Sequence, residues 1–260
     1  MADQTEELRY ELSDGVARIT LAAPDKLNSL SPEMLGALPG LIERAQDNGA
    51  RCILLTGEGR AFSSGARLGA DGAGGRDLGE VIDTYYNPIA RALAESDIPI
   101  VTALNGLAAG AGVGIALGAD IVVAARSAYL LLAFANIGLV PDAGSTWLIA
   151  QSLGRARTLE LALMAEKLPV DKAAEMGLIA QVVDDEALAA EADAITRKLA
   201  AMPTLALGMI RKQVRAALDD GFATSLEMER DNQRIAGLTE DHMEGVQAFK
   251  EKRAPQFKGR

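Results

Sequence analysis

The chain of 260 residues carries one cysteine, Cys52, and one histidine, His242. A single thiol excludes a disulfide framework and multi-thiolate zinc sites, and a single imidazole excludes metal centres built on several histidines. A Ser–His–Asp or Cys–His mechanism has only one candidate base. Positive charge is also scarce: 36 acidic residues stand against 26 basic ones, a net charge of -10, which argues against a general nucleic-acid binder. The opening MADQTEELRYEL is acidic and lacks the apolar stretch of a signal peptide. The run Ile98 to Ala119 is charge-free and long enough for a membrane span, but it holds Pro99, Asn105 and five glycines and ends at Asp120. Strand, glycine turn and short buried helix fit it better. The expectation is a soluble cytoplasmic protein with neither a nucleic-acid nor a membrane partner. If it is an enzyme, carboxylates and backbone dipoles carry the chemistry.

What is present is a hydrophobic content of 49% with 24% charged residues, enough to bury a sizeable core. The length suggests one large domain with an appendage. Residues 1–200 alternate short apolar strands with helices, the pattern of an α/β architecture with short parallel strands. Strands are predicted at Val16–Leu21, Cys52–Thr56, Ile100–Leu104, Ile121–Ala124, Tyr129–Leu132 and Ile179–Val183. Ser31-Pro32-Glu33 combines an N-cap, a first-turn proline and an acid, so a helix starts there. Residues 201–260 read as helical throughout. In the first of those helices Leu205, Met209, Ile210, Val214 and Leu218 share one face, which suggests packing on the body or on another subunit. Charge is uneven as well. Residues 250–260 hold Lys250, Lys252, Arg253, Lys258 and Arg260 against Glu251, a local +4 that leaves -14 elsewhere. That end is either a solvated tail or an anion site.

The 26 glycines cluster after two of the strands. No Gly-Lys pair exists, so there is no Walker A loop; Ile115 replaces the third glycine of a dinucleotide fingerprint; and no G-x-S-x-G elbow occurs. The glycines either serve turns and close packing alone or present unpaired N–H groups at two strand ends. Two convergent N–H donors would make an oxyanion hole for a carbonyl oxygen that gains negative charge.

Four segments, AFSSGA (61–66), NGLAAGAGVGIALGADIV (105–122), GLVPDAGSTW (138–147) and EGVQAFKEKRAPQF (244–257), resemble the crotonase, or enoyl-CoA hydratase/isomerase, superfamily over essentially the whole chain and in the right order. The resemblance implies a crotonase-like spiral of repeated ββα units, a C-terminal helical region (201–260) used in trimerisation, and acyl-CoA thioester substrates. A homotrimer or hexamer is the expected assembly, with no cofactor or metal beyond the coenzyme A of the substrate. Carried over residue by residue, the oxyanion donors fall on the amides of Ala66 and Ala111, with Ser64 and Gly110 alongside in substrate binding. Loss of one such donor typically costs about 3 kcal/mol of transition-state stabilisation. Phe249 and Lys252 match an aromatic and a lysine that contact CoA, and Lys26 is a further candidate for the same anion. Arg67 departs from the family, where many members carry Asp.

The resemblance also shows what is missing. The hydratase branch adds water with two glutamates, and the matching positions here are Gly114 and Phe134, neither of which transfers a proton. One carboxylate remains, in Pro141-Asp142-Ala143-Gly144-Ser145-Thr146. An Asp there is similar to the ring-epoxide and enoyl-CoA isomerases of the family, where it is the acid/base; the alternative is an ordinary helix N-cap. Leu132, Phe134, Ile137, Leu139 and Trp147 predict apolar surroundings that raise its pKa toward that of a useful base. The competing functions are a weak hydratase using Asp142 alone, a dehalogenase with Asp142 as nucleophile, and an acyl-CoA-binding protein without catalysis. The dehalogenase branch also needs a histidine base. His242 is read as a solvated residue, Cys52 as a small core residue, and Trp147 as packing. The Gly- and Ala-rich segment 68–78 is expected to form a loop over the acyl pocket.

Overall fold

The computed structural model describes residues 6–67 and 77–260. The chain opens on an antiparallel hairpin, β1 (Leu8–Ser13) and β2 (Val16–Leu21), turned by Asp14 and Gly15 in left-handed conformations. Helix α1 (Pro32–Asp47) starts where the sequence predicts: the Ser31 hydroxyl accepts the Met34 N–H at 3.2 Å, and Pro32 occupies the first turn. Three ββα repeats follow. The first is β3 (Cys52–Gly57) and β4 (Ala61–Ser63), then α2 (Leu78–Val81) and α3 (Asn87–Glu95) joined by a wider turn at Ile82–Tyr86. The second is β5 (Ile100–Leu104), β6 (Leu107–Ala109) and α4 (Ala111–Leu117). The third is β7 (Ile121–Ala125), β8 (Tyr129–Leu131) and α5 (Ser145–Met164). Then come β9 (Leu168–Pro169), α6 (Val170–Glu175), β10 (Gln181–Val183) and α7 (Leu188–Ala200). The chain finishes in α8 (Thr204–Ala217), α9 (Phe222–Ala236) and α10 (Glu240–Glu251).

Each repeat sends its first strand to one sheet and its second to another. The larger sheet has the order β1-β2-β3-β5-β7-β10, parallel from β2 onward; the smaller runs β4-β6-β8-β9, parallel except for its last pair. Successive repeats therefore stack as turns of a spiral, the α/β architecture with a C-terminal helical region that the resemblance implies. Every residue of β5 is buried, and Cys52 to Leu55 of β3 are too, because parallel neighbours flank these strands and α7 lies across β3, β5 and β7. The charge-free run Ile98 to Ala119 divides into β5, β6 and α4. No helix among the described residues is long and apolar enough to cross a membrane.

The differences from the predicted strands have two causes. β4, β6 and β9 span two or three residues, too few to display a period of two, and β1 is a largely exposed edge. The predicted ends shift as well: Leu132 falls outside β8, while Ile179 and Ala180 precede β10; Leu132 and Ile179 are apolar because they are buried, not because they pair in a strand. Of the expected loop, 68–76 lie outside the described residues, and Leu78 already begins α2. The stacking has a functional consequence. β4 and β6 are parallel neighbours, so the turns that leave them emerge side by side.

Candidate active site

The turn after β4 is shaped by buried polar groups. The Ser63 hydroxyl donates to the Asn28 carbonyl at 2.8 Å and accepts the Gly65 N–H at 3.2 Å; Ser64 gives its own N–H to the Leu27 carbonyl at 2.9 Å. Asn28 is fully buried with a left-handed backbone, and its amide donates to the Glu58 and Ala61 carbonyls. Ala66 then forms a single parallel bridge with Leu30: the Leu30 N–H bonds the Gly65 carbonyl at 2.8 Å, and the Arg67 N–H bonds the Leu30 carbonyl at 3.1 Å. In such a bridge the flanking residues make the bonds, so the Ala66 N–H points to the opposite side, and no hydrogen bond of the described residues uses it.

The turn after β6 ends differently. The Gly110 N–H bonds the Leu131 carbonyl of β8 at 2.9 Å, and the next residue, Ala111, starts α4. Its N–H belongs to the first turn, which has no intrahelical acceptor, and no side chain caps it. Gly110 holds φ 53° and ψ -130°, a conformation closed to other residues. The two turns touch: a Cβ on Gly65 would lie 2.7 Å from the Ala109 carbonyl oxygen and 3.5 Å from the Gly110 Cα. The structure thus brings the Gly65–Ala66 and Gly110–Ala111 segments together, each with an unused N–H.

Asp142 lies between the short 3-10 turn Ala133–Ile137 and α5. The N-cap alternative does not hold for its side chain. Its backbone carbonyl accepts both the N–H and the hydroxyl of Ser145, at 2.9 and 2.7 Å, while the side chain makes no cap. Its Oδ1 is buried with no hydrogen-bond partner. Burial pushes the carboxyl up to about 6 from an ordinary 3.8, against a small opposing effect of its own backbone. The predicted apolar surroundings are partly present: Leu132 and Phe134 are buried, whereas Ile137 and Leu139 are exposed.

The two positions of the absent glutamates are filled by other means. A Cβ on Gly114 would overlap the Ala143 carbonyl oxygen and stand 2.9 Å from the Ala143 Cβ, so Ala143, the residue after Asp142, occupies that space. Phe134 packs its ring tip 3.8 Å from where a Gly110 Cβ would stand, which gives the turn an apolar wall.

The remaining predicted residues are dispersed. Lys26 forms an ion pair with Glu7 at 2.9 Å, and Arg67 donates to the other oxygen of Glu7 at 2.9 Å and to the Ser29 hydroxyl and carbonyl at 3.1 and 3.0 Å. These contacts hold the Glu7 carboxyl down at about 2, with the Arg67 bond the largest cause. Phe249 and Lys252 sit on and after α10, both exposed. His242, in the first turn of α10, lines a cleft of ≈ 790 Å³ with Pro203, Phe249 and Phe257, which Ala66, Ala111 and Asp142 do not border. Cys52 is buried, and its thiol is pushed up to about 12 by burial, as befits a core residue. Trp147 donates to Asp219 at 3.4 Å and lies beneath Arg215. Sequence reasoning missed Asn28 and Ser63; an asparagine two residues after a Pro-Asp-Lys turn was the one available signal, since Asn tolerates the left-handed region.

Two adjacent backbone donors on a ββα spiral, with one desolvated carboxyl in the next loop, define a site suited to a carbonyl that becomes an enolate. Residues 11–260 match the Enoyl-CoA hydratase/isomerase family, and the chain belongs to it. It is an enzyme of the hydratase/isomerase type. A 1,2-epoxyphenylacetyl-CoA isomerase of Escherichia coli K12 is 46% identical over 95% of this chain and 96% of its own length. A protein of Rhodobacter capsulatus named as a probable enoyl-CoA hydratase is 43% identical over 97% and 98%. The crystal structure of enoyl-CoA hydratase subunit I from Geobacillus kaustophilus HTA426 superimposes with a TM-score of 0.92 at 32% identity, covering 98% of each chain.

Proposed function

We propose that the protein is an acyl-CoA isomerase, acting on an enoyl-CoA or a ring-epoxide acyl-CoA, with Asp142 as its acid/base. The observation that carries this reading is the buried, unpartnered Oδ1 of Asp142, together with a glycine and a phenylalanine where hydration needs two carboxylates. In the enoyl case the Asp142 carboxylate takes a proton from the α carbon of a 3-enoyl-CoA. The electron pair moves onto the thioester oxygen, where the N–H groups of Ala66 and Ala111 stabilise the dienolate. Asp142, now protonated, returns that proton at the γ carbon, and the double bond ends between the α and β carbons. One carboxylate suffices because the proton given up is the proton returned. The relative named as an isomerase supports this branch over the hydratase one. The dehalogenase alternative is disfavoured because His242 lies on α10 and lines a cleft that Asp142 does not border. Phe249, Lys252 and Lys26 remain the proposed CoA contacts; Lys26 would first have to leave Glu7.

Asp142→Asn is expected to lower conversion of 3-enoyl-CoA to 2-enoyl-CoA by about 10²–10⁴-fold while acyl-CoA binding persists. Undiminished turnover would overturn the assignment, and tight binding without turnover in the unmutated chain would favour the binding-protein alternative.

A further inference from the structure

We propose that Gly114 is a positioning residue: by carrying no side chain, it lets the Ala143 backbone settle onto α4 and so sets the depth at which Asp142 is held. This rests on the reading of Asp142 as acid/base. The contact is backbone against backbone. A Cβ at position 114 would overlap the Ala143 carbonyl oxygen, come within 2.9 Å of the Ala143 Cβ and stand 3.0 Å from its carbonyl carbon. A flexible side-chain tip could swing away from such a clash; a peptide carbonyl moves only with its loop.

The loop's own backbone is strained at this contact. Ala143 itself is left-handed at φ 50°, an uncommon conformation for a residue with a Cβ, and Gly144 follows at φ 76°. The Ala143 side chain is buried, so it is pressed inward against this strain. On the flank toward α3 and α8, Ala143 and Gly144 border a cavity of ≈ 460 Å³ that Gly114 also lines. On the other flank Ala143 rests directly on α4 at Gly114. Asp142 immediately precedes Ala143, and its carbonyl is already committed to Ser145 at the start of α5. A displacement of Ala143 tilts the peptide that carries the Asp142 side chain out toward water.

The glycine thus does more than omit a glutamate. Restoring Glu at 114 would not restore a hydratase site, because the space belongs to Ala143.

The test is Gly114→Ala, with Gly118→Ala as a control at the C-cap of the same helix, where the three atoms nearest a Cβ are the Leu93 Cδ1 tip at 2.8 Å and the Gly114 and Ile115 carbonyl oxygens at 3.2 and 3.5 Å, none of them from the Asp142 loop. The readouts are the titration of the Asp142 carboxyl by 13C NMR and the isomerase rate. Gly114→Ala is expected to bring the carboxyl back toward the ordinary aspartate range and to lower kcat more than tenfold, with KM changed less than threefold. Gly118→Ala is expected to lower Tm without moving the titration. A folded Gly114→Ala protein that keeps its titration and its kcat within twofold overturns the proposal. If Gly114→Ala does not fold, the double variant Gly114→Ala/Ala143→Gly decides, because it relieves the left-handed strain and the Cβ contact while the added methyl still meets the residue 143 carbonyl: a lowered titration supports the proposal and an unchanged one overturns it. The NMR readout needs no turnover, so failure of the isomerase reading and failure of this one are separable.

Discussion

A carboxyl that titrates near pH 6 is only partly ionised where ordinary aspartates are fully so, and that has two measurable consequences for Asp142. As the base it must be deprotonated, so kcat is expected to rise with pH through about 6 and level off above it. The stability effect has the opposite slope. Because the folded pKa lies above the ordinary 3.8, the folded state binds the proton more tightly, and stability falls as pH rises between about 4 and about 6. Asp142→Asn removes that burden, and thermal melts should show it stabilised by about 1–3 kcal/mol at pH 8 but not at pH 3. No gain at pH 8 would mean that the carboxyl is not desolvated. The sequence nominates Asp142 because it is the one carboxylate of the segment 138–147 and the two glutamate positions hold Gly114 and Phe134, yet it leaves the N-cap alternative open. Only the path of the loop, with Ser145 turned to the Asp142 carbonyl, separates the two.

Among the elements, the turn after β4 depends on an anchor that the residue pattern did not explain. Arg67 reaches back to Ser29 in the segment before α1 and to Glu7 just before β1, so it clamps the turn that presents the Ala66 N–H. Arg67→Ala is expected to lower kcat about tenfold with little change in KM, since a misplaced donor weakens the enolate more than the bound thioester. The sign of its pH dependence follows from Glu7, whose pKa is depressed to about 2 from 4.5. The clamp contributes stability above about pH 4.5 that is lost as pH falls toward 2, so melts of wild type and Arg67→Ala should differ at pH 7 and converge in acid. Equal melting at pH 7 would show that the clamp carries no load. The partners of Arg67 are 38 and 60 residues away in sequence, beyond any local spacing rule. Helix α1, by contrast, was legible to its first residue because its cap is a contact across three positions.

Across the whole molecule, two arginines help tie the C-terminal region to the body; Arg211 of α8 donates to the Asp120 carboxylate at 2.9 Å and to the Leu93 carbonyl at 2.8 Å. Arg51 of the body donates to the Thr204 hydroxyl and to the Met202 and Phe257 carbonyls, while within the region itself the buried Asp241 carboxylate accepts the N–H groups of Lys258 and Gly259. The apolar face foreseen on α8 is outward: Leu205, Ile210, Val214 and Leu218 are exposed, as are Phe222 and Leu226 on α9 and Phe249 on α10. Exposed apolar surface of this extent along three helices favours association, and we propose a homotrimer or a pair of trimers built through it. Ile210→Glu combined with Val214→Glu should dissociate that assembly in light scattering. A monomer for the unmutated chain would contradict it.

The sequence by itself determined the alternation of strand and helix, the two glycine turns, the absence of paired glutamates and the single carboxylate left to act. These are properties of residue type and short spacing, which local chemistry dictates. Tertiary structure alone decided that the Ala66 and Ala111 turns meet, because their strands are neighbours only in the stacked spiral. It likewise decided that Ala143 fills the space above Gly114 and that Arg67 finds Glu7. Such contacts join segments distant along the chain, and their geometry is set by how the repeats pack rather than by any residue's own preference.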